Sequence, residues 1–258
     1  MKTRVSTETW RLLDLEYDDV YMNMAVEEAI PMTVGKSVVP NTVRFWRNSN
    51  AVVIGRFQNK ESEVNLEAAT RYGTTVVRRF TGGGAVYHDS GNLNYSISVN
   101  RNHSLAADDV IKMYGIFSKG VVRGINILGL DAEFKPPNMV QVNNRKVTGM
   151  ASSVNWRVIF CHGTLLVNTD LQILSEVLDI SSHKSNSLIP SIPSEVTTLQ
   201  NQLNRSLSTT EAKEALIKGF EEIYQVALLS GNLTKEEEEL AHELYETKYS
   251  TDEWNSKE

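Results

Sequence analysis

Two rhythms of apolar and polar residues run along this chain. Leu93, Tyr95, Ile97 and Val99 alternate with polar neighbours, the period of a half-buried strand. Val110, Met113, Ile116, Phe117 and Val121 recur at helical spacing and predict a helix over about 106–128. Gly115, Gly120 and Gly124 interrupt that helix, as a close helix contact or a kink would require. Near the start, Trp10 to Leu15 reads as a short strand. Asp18 or Asp19 then caps a helix reaching about Ile30. Val20, Met24, Ala25 and Ile30 form its apolar side, Glu27 and Glu28 fall on a polar or pocket-facing side, and Pro31 and Gly35 close it.

Further on, Val43 to Arg47 and Ala51 to Phe57 read as a strand pair around the turn-forming Asn48-Ser49-Asn50. Residues 60–72 read as a helix stopped by Gly73. Strands are predicted at Thr74 to Val77, Ala85 to Tyr87, Ala132 to Lys135, Met139 to Val142, Lys146 to Val154 and Val158 to Val167. Helices are predicted at about 171–178, from Thr210 to Leu229, and from Lys235 to Tyr249, the last with Leu240, Leu244 and Tyr245 on one face. Ser181 to Ser194, with Pro190 and Pro193, reads as a long loop. Strands and helices without regular βαβ alternation predict an α+β fold on a largely antiparallel mixed sheet with flanking helices.

Composition narrows the class. A 258-residue chain with 41% hydrophobic residues can build a sizeable core, and neither a repeat nor a low-complexity tract is visible. No apolar run approaches a membrane span, and the first residues lack the apolar segment of a secretion signal. The single cysteine excludes an internal disulfide framework and fits a cytoplasmic location. The net charge of -6 is held by the stretch from Lys235 to Glu258, which carries three lysines and nine acidic residues. The remainder is neutral, so no basic face for nucleic acid is evident.

The candidate chemistry centres on Arg78-Arg79-Phe80-Thr81-Gly82-Gly83-Gly84-Ala85-Val86-Tyr87-His88-Asp89. Three consecutive glycines carry a large conformational cost, tolerated where the backbone turns with φ > 0 or where a ligand approaches main-chain N–H groups. With two arginines beside them they suit a phosphate or carboxylate. A glycine-rich hairpin with solvated arginines is the alternative. The stretch is not a P-loop, because no Gly-Lys-Ser/Thr follows. It is not a dinucleotide fingerprint, because a strand and not a helix follows. By residue type alone Lys146 reads as a solvated lysine after a turn at Asn143-Asn144. The five histidines show no metal-site pairing, and no metal ligands are assigned.

Five segments in order resemble the lipoate-protein ligase catalytic domain: Met22 to Glu28, Val52 to Asn59, Arg78 to Asp89, Arg145 to Ala151 and His162 to Leu166. The resemblance runs from about residue 10 to 254. It implies the fold shared by biotin and lipoate ligases, although the Gly-Arg-Gly-Arg of biotin ligases is absent. It implies, as the leading activity, ATP- and Mg2+-dependent activation of lipoate to lipoyl-AMP. Transfer then goes to a lysine of lipoyl acceptor domains, in 2-oxoacid dehydrogenase E2 or glycine-cleavage H protein. Lys146 matches the family's active-site lysine. Arg79, Gly84, Ala85, Val86, Tyr87 and Lys146 match its ATP-binding positions. Lys146, Arg79, Gly83, His88, Gly149 and His162 are the expected lipoate contacts.

Two features depart from that pattern. Asn138-Met139 replaces an Asn-Asp that would aid Mg2+, and Pro193 and Glu195 stand where arginines are common. The whole chain, 1–258, reads as one catalytic domain with a helical tail at about 234–258. The resemblance is to the archaeal bipartite form, which lacks the C-terminal accessory domain, so a separate accessory subunit is expected. Two alternatives remain. The first is octanoyl transfer from acyl carrier protein through a Cys161 thioester, with Cys161 on the same strand side as Ile159. The second is a lipoate- or lipoyl-domain-binding protein without turnover.

Overall fold

The computed structural model describes residues 7–107, 109–178, 191–192 and 194–257. Its strands are β1 (Glu8–Asp14), β2 (Thr42–Trp46), β3 (Asn50–Ile54), β4 (Thr75–Arg78), β5 (Val86–Asp89), β6 (Asn92–Asn100), β7 (Ala132–Lys135), β8 (Met139–Val142), β9 (Arg145–Asn155), β10 (Val158–Leu166) and β11 (Val226–Ser230). Its helices are α1 (Val20–Gly35), α2 (Lys60–Glu63), α3 (Leu66–Tyr72), α4 (Val110–Ile127), α5 (Leu171–Val177), α6 (Leu199–Leu203), α7 (Thr209–Tyr224), α8 (Lys235–Leu244) and α9 (Asp252–Asn255). A π-helical turn, Tyr245–Tyr249, joins α8 to α9.

Eight strands form one sheet in the order β11-β1-β2-β6-β10-β9-β8-β7, and three form a second in the order β4-β3-β5. The large sheet is antiparallel from β2 to β7 and parallel where β1 meets β2 and β11. The fold is therefore the mixed α+β class that the element order predicts. Alternation along β6 and β10 gives the large sheet two faces. Ile97, Val99, Ile159 and Cys161 pack with Met113, Phe117 and Val121 of α4 and Leu216 and Phe220 of α7. On the other face Val158 and Phe160 pack with Val26, Ala29 and Ile30 of α1. Glycines let α4 and α7 approach closely: a β-carbon on Gly124 would lie 2.8 Å from Leu216 Cα. The α4 glycines thus serve a close helix contact.

Four element predictions need correction. Helix α1 is capped by Asp19, whose carboxylate accepts from the Tyr21 and Met22 N–H groups, but it runs through Pro31 to Gly35. Burial on almost every side outweighs the roughly 3 kcal/mol a proline costs inside a helix. Strands β2 and β3 do not pair with each other: β2 lies between β1 and β6, and β3 is the centre of the small sheet. Asn48, expected in a tight turn, is instead buried and bonded to Asn23 and the His88 ring. The predicted helix over 60–72 is two short helices, each with its own asparagine cap at Asn59 and Asn65. The predicted helix to Leu229 stops at Tyr224, because Gln225 takes a left-handed conformation at φ 56°. Val226–Ser230 then becomes an edge strand parallel to β1. Most of the predicted loop from Ser181 to Ser194, including Pro190 and Pro193, lies outside the described residues.

The acidic C-terminal stretch is fastened to the small sheet. Arg78 turns away from the glycines and donates to the carbonyls of Trp254, Asn255 and Lys257, and to those of Gly55, Arg56 and Gln58. No helix among the described residues is long and apolar enough to cross a membrane.

Candidate active site

The glycine stretch joins β4 to β5, the two strands that flank β3. Gly83 has φ 93°, a conformation that favours glycine. Gly55 on the neighbouring turn is needed for a different reason: a β-carbon there would lie 2.0 Å from the Gly83 carbonyl oxygen. Arg79 fastens the loop from beneath. Its Nε donates to Thr81 Oγ1 (3.0 Å), its Nη1 to the Val53 carbonyl (3.1 Å), and its Nη2 to the Gly82 and Gly84 carbonyls (2.7 and 2.9 Å). Its guanidinium is buried and has no carboxylate partner among the described residues. Burial lowers its pKa to about 10.

Lys146 stands beside this charge. Its main chain is clamped by the segment 195–197: its N–H donates to the Glu195 carbonyl (2.8 Å) and its carbonyl accepts from the Thr197 N–H (3.0 Å). The side chain is half-buried and lies over Gly149, where a β-carbon would fall 3.0 Å from Nζ. Among the described residues the ammonium has no hydrogen-bond or ion-pair partner. Burial, and then repulsion from Arg79, hold its pKa below the ordinary lysine value. Two cations with no facing carboxylate among the described residues, beside a glycine-rich turn, attract a carboxylate, a phosphate or a developing oxyanion.

The remaining expected residues divide into two sets. Gly84 and Ala85 line the loop, and the Ala85 N–H donates to the Ser191 hydroxyl (2.9 Å). His162 is in the site: Nε2 lies 2.8 Å from Thr81 Oγ1 and Nδ1 lies 3.2 Å from Glu27 Oε1. Its ring is bonded there and does not orient Lys146. His88 is buried near Arg79 and His162, and burial lowers its pKa to about 3. The amide nitrogens of Asn48 and Asn94 face Nδ1, so Nε2–H donates to Thr164 Oγ1 (3.0 Å). Val86 and Tyr87 turn away from the loop into two apolar clusters, Tyr87 packing with Val52, Ile54 and Val64.

Residue-type reasoning gave several members of this site no specific role. Glu27 is buried with Arg44 at 3.1 Å and accepts from Ser96 at 3.3 Å. Its sequence signal, shared with Glu28, was a carboxylate on the polar or pocket-facing side of a largely apolar helix. Thr81 and Thr164 lay inside the quoted segments without a role. Cys161 faces the opposite way. Like Ile159 it points into the α4–α7 core, it is fully buried, and burial pushes its thiol up to about 12. A thiol so placed cannot reach a substrate above the glycine loop. Among the described residues no cluster of His, Cys, Asp and Glu could hold a metal ion.

The sequence is similar to proteins of known kind over almost its whole length. The sequence model of the lipoyl protein ligase A/B catalytic domain matches residues 19–221. The octanoyltransferase LipM of Brevibacillus brevis is 36% identical, covering 96% of this chain and 99% of the relative. Lipoate-protein ligase A subunit 1 of Thermoplasma acidophilum is 35% identical, covering 95% of each. In a solved structure from Thermoplasma acidophilum, of a bi-partite lipoate protein ligase and its E2 lipoyl domain, the matching chain superposes with a TM-score of 0.82 at 34% identity over 96% of both chains. These comparisons overturn one expectation. The curated relatives highest in similarity are mostly octanoyltransferases, so ATP-dependent lipoate ligation is not the leading activity and octanoyl transfer is the better supported. What the family model, the relatives and the superposition agree on is that this chain belongs to the lipoyl protein ligase A/B catalytic domain family.

Proposed function

We propose that this chain is an octanoyltransferase, moving an octanoyl group from a thioester on an acyl carrier to a lysine of a lipoyl acceptor domain. The observation that carries the chemistry is the unpartnered Lys146 ammonium over Gly149, beside the buried Arg79 charge. The acceptor amine attacks the thioester carbonyl, and the oxygen becomes an oxyanion. Lys146 donates to that oxygen, and Arg79 adds its field while holding the glycine loop in shape. The C–S bond then breaks, the N–C bond remains, and the proton lost by the amine leaves with the thiol. Most of the rate enhancement in such a step comes from positioning and charge stabilisation. The route is direct, because the lone thiol, that of Cys161, is in the core. This departs from the thioester route expected with octanoyl transfer.

Gly149 and Gly83 leave room for the Lys146 and Arg79 side chains, and His162 and Thr81 support the loop. The bi-partite character of the Thermoplasma ligase supports a second polypeptide acting with this chain. Intact mass of a lipoyl acceptor domain is the test. Incubation with the chain and octanoyl-acyl carrier protein, without nucleotide, should add one octanoyl group to the domain. Modification that appears only with a free acid, ATP and Mg2+ would overturn the reading.

A further inference from the structure

Five side chains form one hydrogen-bonded line from β2 to the glycine loop. Arg44 Nη1 donates to Glu27 Oε2 (3.1 Å), Glu27 Oε1 faces His162 Nδ1 (3.2 Å), His162 Nε2 faces Thr81 Oγ1 (2.8 Å), and Arg79 Nε donates to Thr81 Oγ1 (3.0 Å). The two ends are guanidinium groups, which only donate. That restricts everything between them. With Glu27 ionised, His162 carries its proton on Nδ1 and gives it to Glu27. Nε2 is then bare and accepts the Thr81 hydroxyl, which in turn accepts from Arg79. Every donor and acceptor in the line is used.

One added proton breaks this order wherever it settles. On Glu27 it makes Nδ1 an acceptor and moves the ring proton to Nε2. On His162 it leaves both nitrogens protonated. Either way Nε2 donates to Thr81, and the Thr81 hydroxyl must turn its own proton elsewhere. We propose that Glu27 is a positioning residue of the transfer site: its carboxylate fixes the His162 tautomer, which locks the Thr81 hydroxyl and seats Arg79 under the glycine loop. Burial pushes the Glu27 carboxyl up to about 8 while the Arg44 guanidinium opposes it, so both states are reached near neutral pH. The other titratable or charged groups around the line are His88 near His162, Glu28 and Tyr249 near Glu27, Tyr17 and Glu16 near Arg44, and Tyr114 and Lys146 near Arg79.

Glu27→Gln separates charge from shape. Arg44 is fully buried and can only donate, so the amide oxygen must face it and the amide nitrogen must face His162. Nδ1 is then forced to accept. The test is the 15N spectrum of the His162 imidazole in the intact chain, above the Glu27 transition at about 8, assigned by its absence in His162→Asn. The protonated-type nitrogen should be Nδ1 in the unaltered chain and Nε2 in Glu27→Gln. The kinetic arm rests on the octanoyl-transfer reading. Glu27→Gln and Thr81→Val should each slow transfer about tenfold or more, as a wrong tautomer does in catalytic triads. The double variant should be no slower than either single one, because both break the same line. Thr81→Ser should retain the rate. The Thr81 pair also reads the line if Glu27→Gln does not fold. An unchanged His162 tautomer in Glu27→Gln, losses that multiply in the double variant, or a Thr81→Val rate equal to the unaltered one would overturn the proposal. Absence of octanoyl transfer by the unaltered chain counts against the transfer reading alone, and the 15N comparison then decides this one.

Discussion

Lys146 Nζ lies where it does because residue 149 has no side chain: a β-carbon on Gly149 would sit 3.0 Å from Nζ and 2.9 Å from Cε. The obstructed atoms are the flexible end of a lysine, so the fold can yield cheaply while the ammonium cannot stay in place. Gly149→Ala should therefore slow acyl transfer about tenfold or more, since small displacements of a catalytic group are costly. Its unfolding free energy should change by no more than about 1 kcal/mol. A paired rate assay and denaturant titration check this, and an equal loss of stability would show that the glycine is structural.

Lys146 and Cys161 should behave oppositely. Lys146→Met should abolish transfer, because it removes the oxyanion donor while keeping an unbranched side chain only one atom shorter. Cys161→Ala should preserve the rate, since the thiol is on the core face of β10. It should cost about 1 kcal/mol of stability from the small cavity it leaves. Mass spectrometry of the acceptor domain after a fixed time decides between the two. Loss of transfer in Cys161→Ala with the fold intact would restore the thioester route.

The pH profile of kcat/KM should be bell-shaped. The rising limb follows deprotonation of the acceptor amine together with ionisation of Glu27 at about 8. The falling limb follows Lys146, whose pKa is held below the ordinary lysine value by burial and by Arg79. Transfer therefore declines as pH rises through that lowered pKa. Lys146→Arg keeps its charge throughout this range and should lose the falling limb while retaining part of the rate. An identical falling limb in that variant would assign it to another group.

Stability should fall on acidification through His88. Its folded pKa of about 3 lies below its ordinary value of 6.5, so the unfolded chain binds the extra proton first. Stability from this site is fully present above about 6.5 and is lost progressively as pH falls towards 3. Thermal unfolding between these values should show the loss, and His88→Gln, which keeps an acceptor for Asn48, should reduce it. A slope unchanged in that variant would place the acid sensitivity elsewhere.

Tyr249 and Glu28 tie the C-terminal stretch to α1 with a hydrogen bond of 2.6 Å, and Lys248 shares the same carboxylate oxygen at 2.6 Å. Tyr249→Phe leaves that buried oxygen with one partner fewer. It should destabilise the chain by about 1–3 kcal/mol in denaturant unfolding. A change below about 0.5 kcal/mol would mean the π-helical turn is held by packing of Tyr249 and Trp254 alone.

The chain's local patterns determined much of this protein. Alternation in Leu93 to Val99 placed β6, helical spacing placed α4, and Asp19 was legible as a cap because its carboxylate needs only the next residues' N–H groups. The family was legible because five separated segments kept their order, and the glycine stretch was legible because three glycines together have few other uses. What tertiary structure alone decided was direction and partnership. Strands β2 and β3 went to different sheets, β2 between β1 and β6 and β3 between β4 and β5, because pairing partners distant in sequence exist only in the folded chain. Cys161 and His162 are neighbours in sequence, yet the pleat sends one into the α4–α7 core and the other to Thr81 and Glu27. Glu27, Thr81 and His162 come from three distant parts of the chain, and their roles exist only once β10 lies between α1 and the glycine loop. Charge, burial and hydrogen-bond direction depend on such distant neighbours, whereas propensity and periodicity depend on near ones.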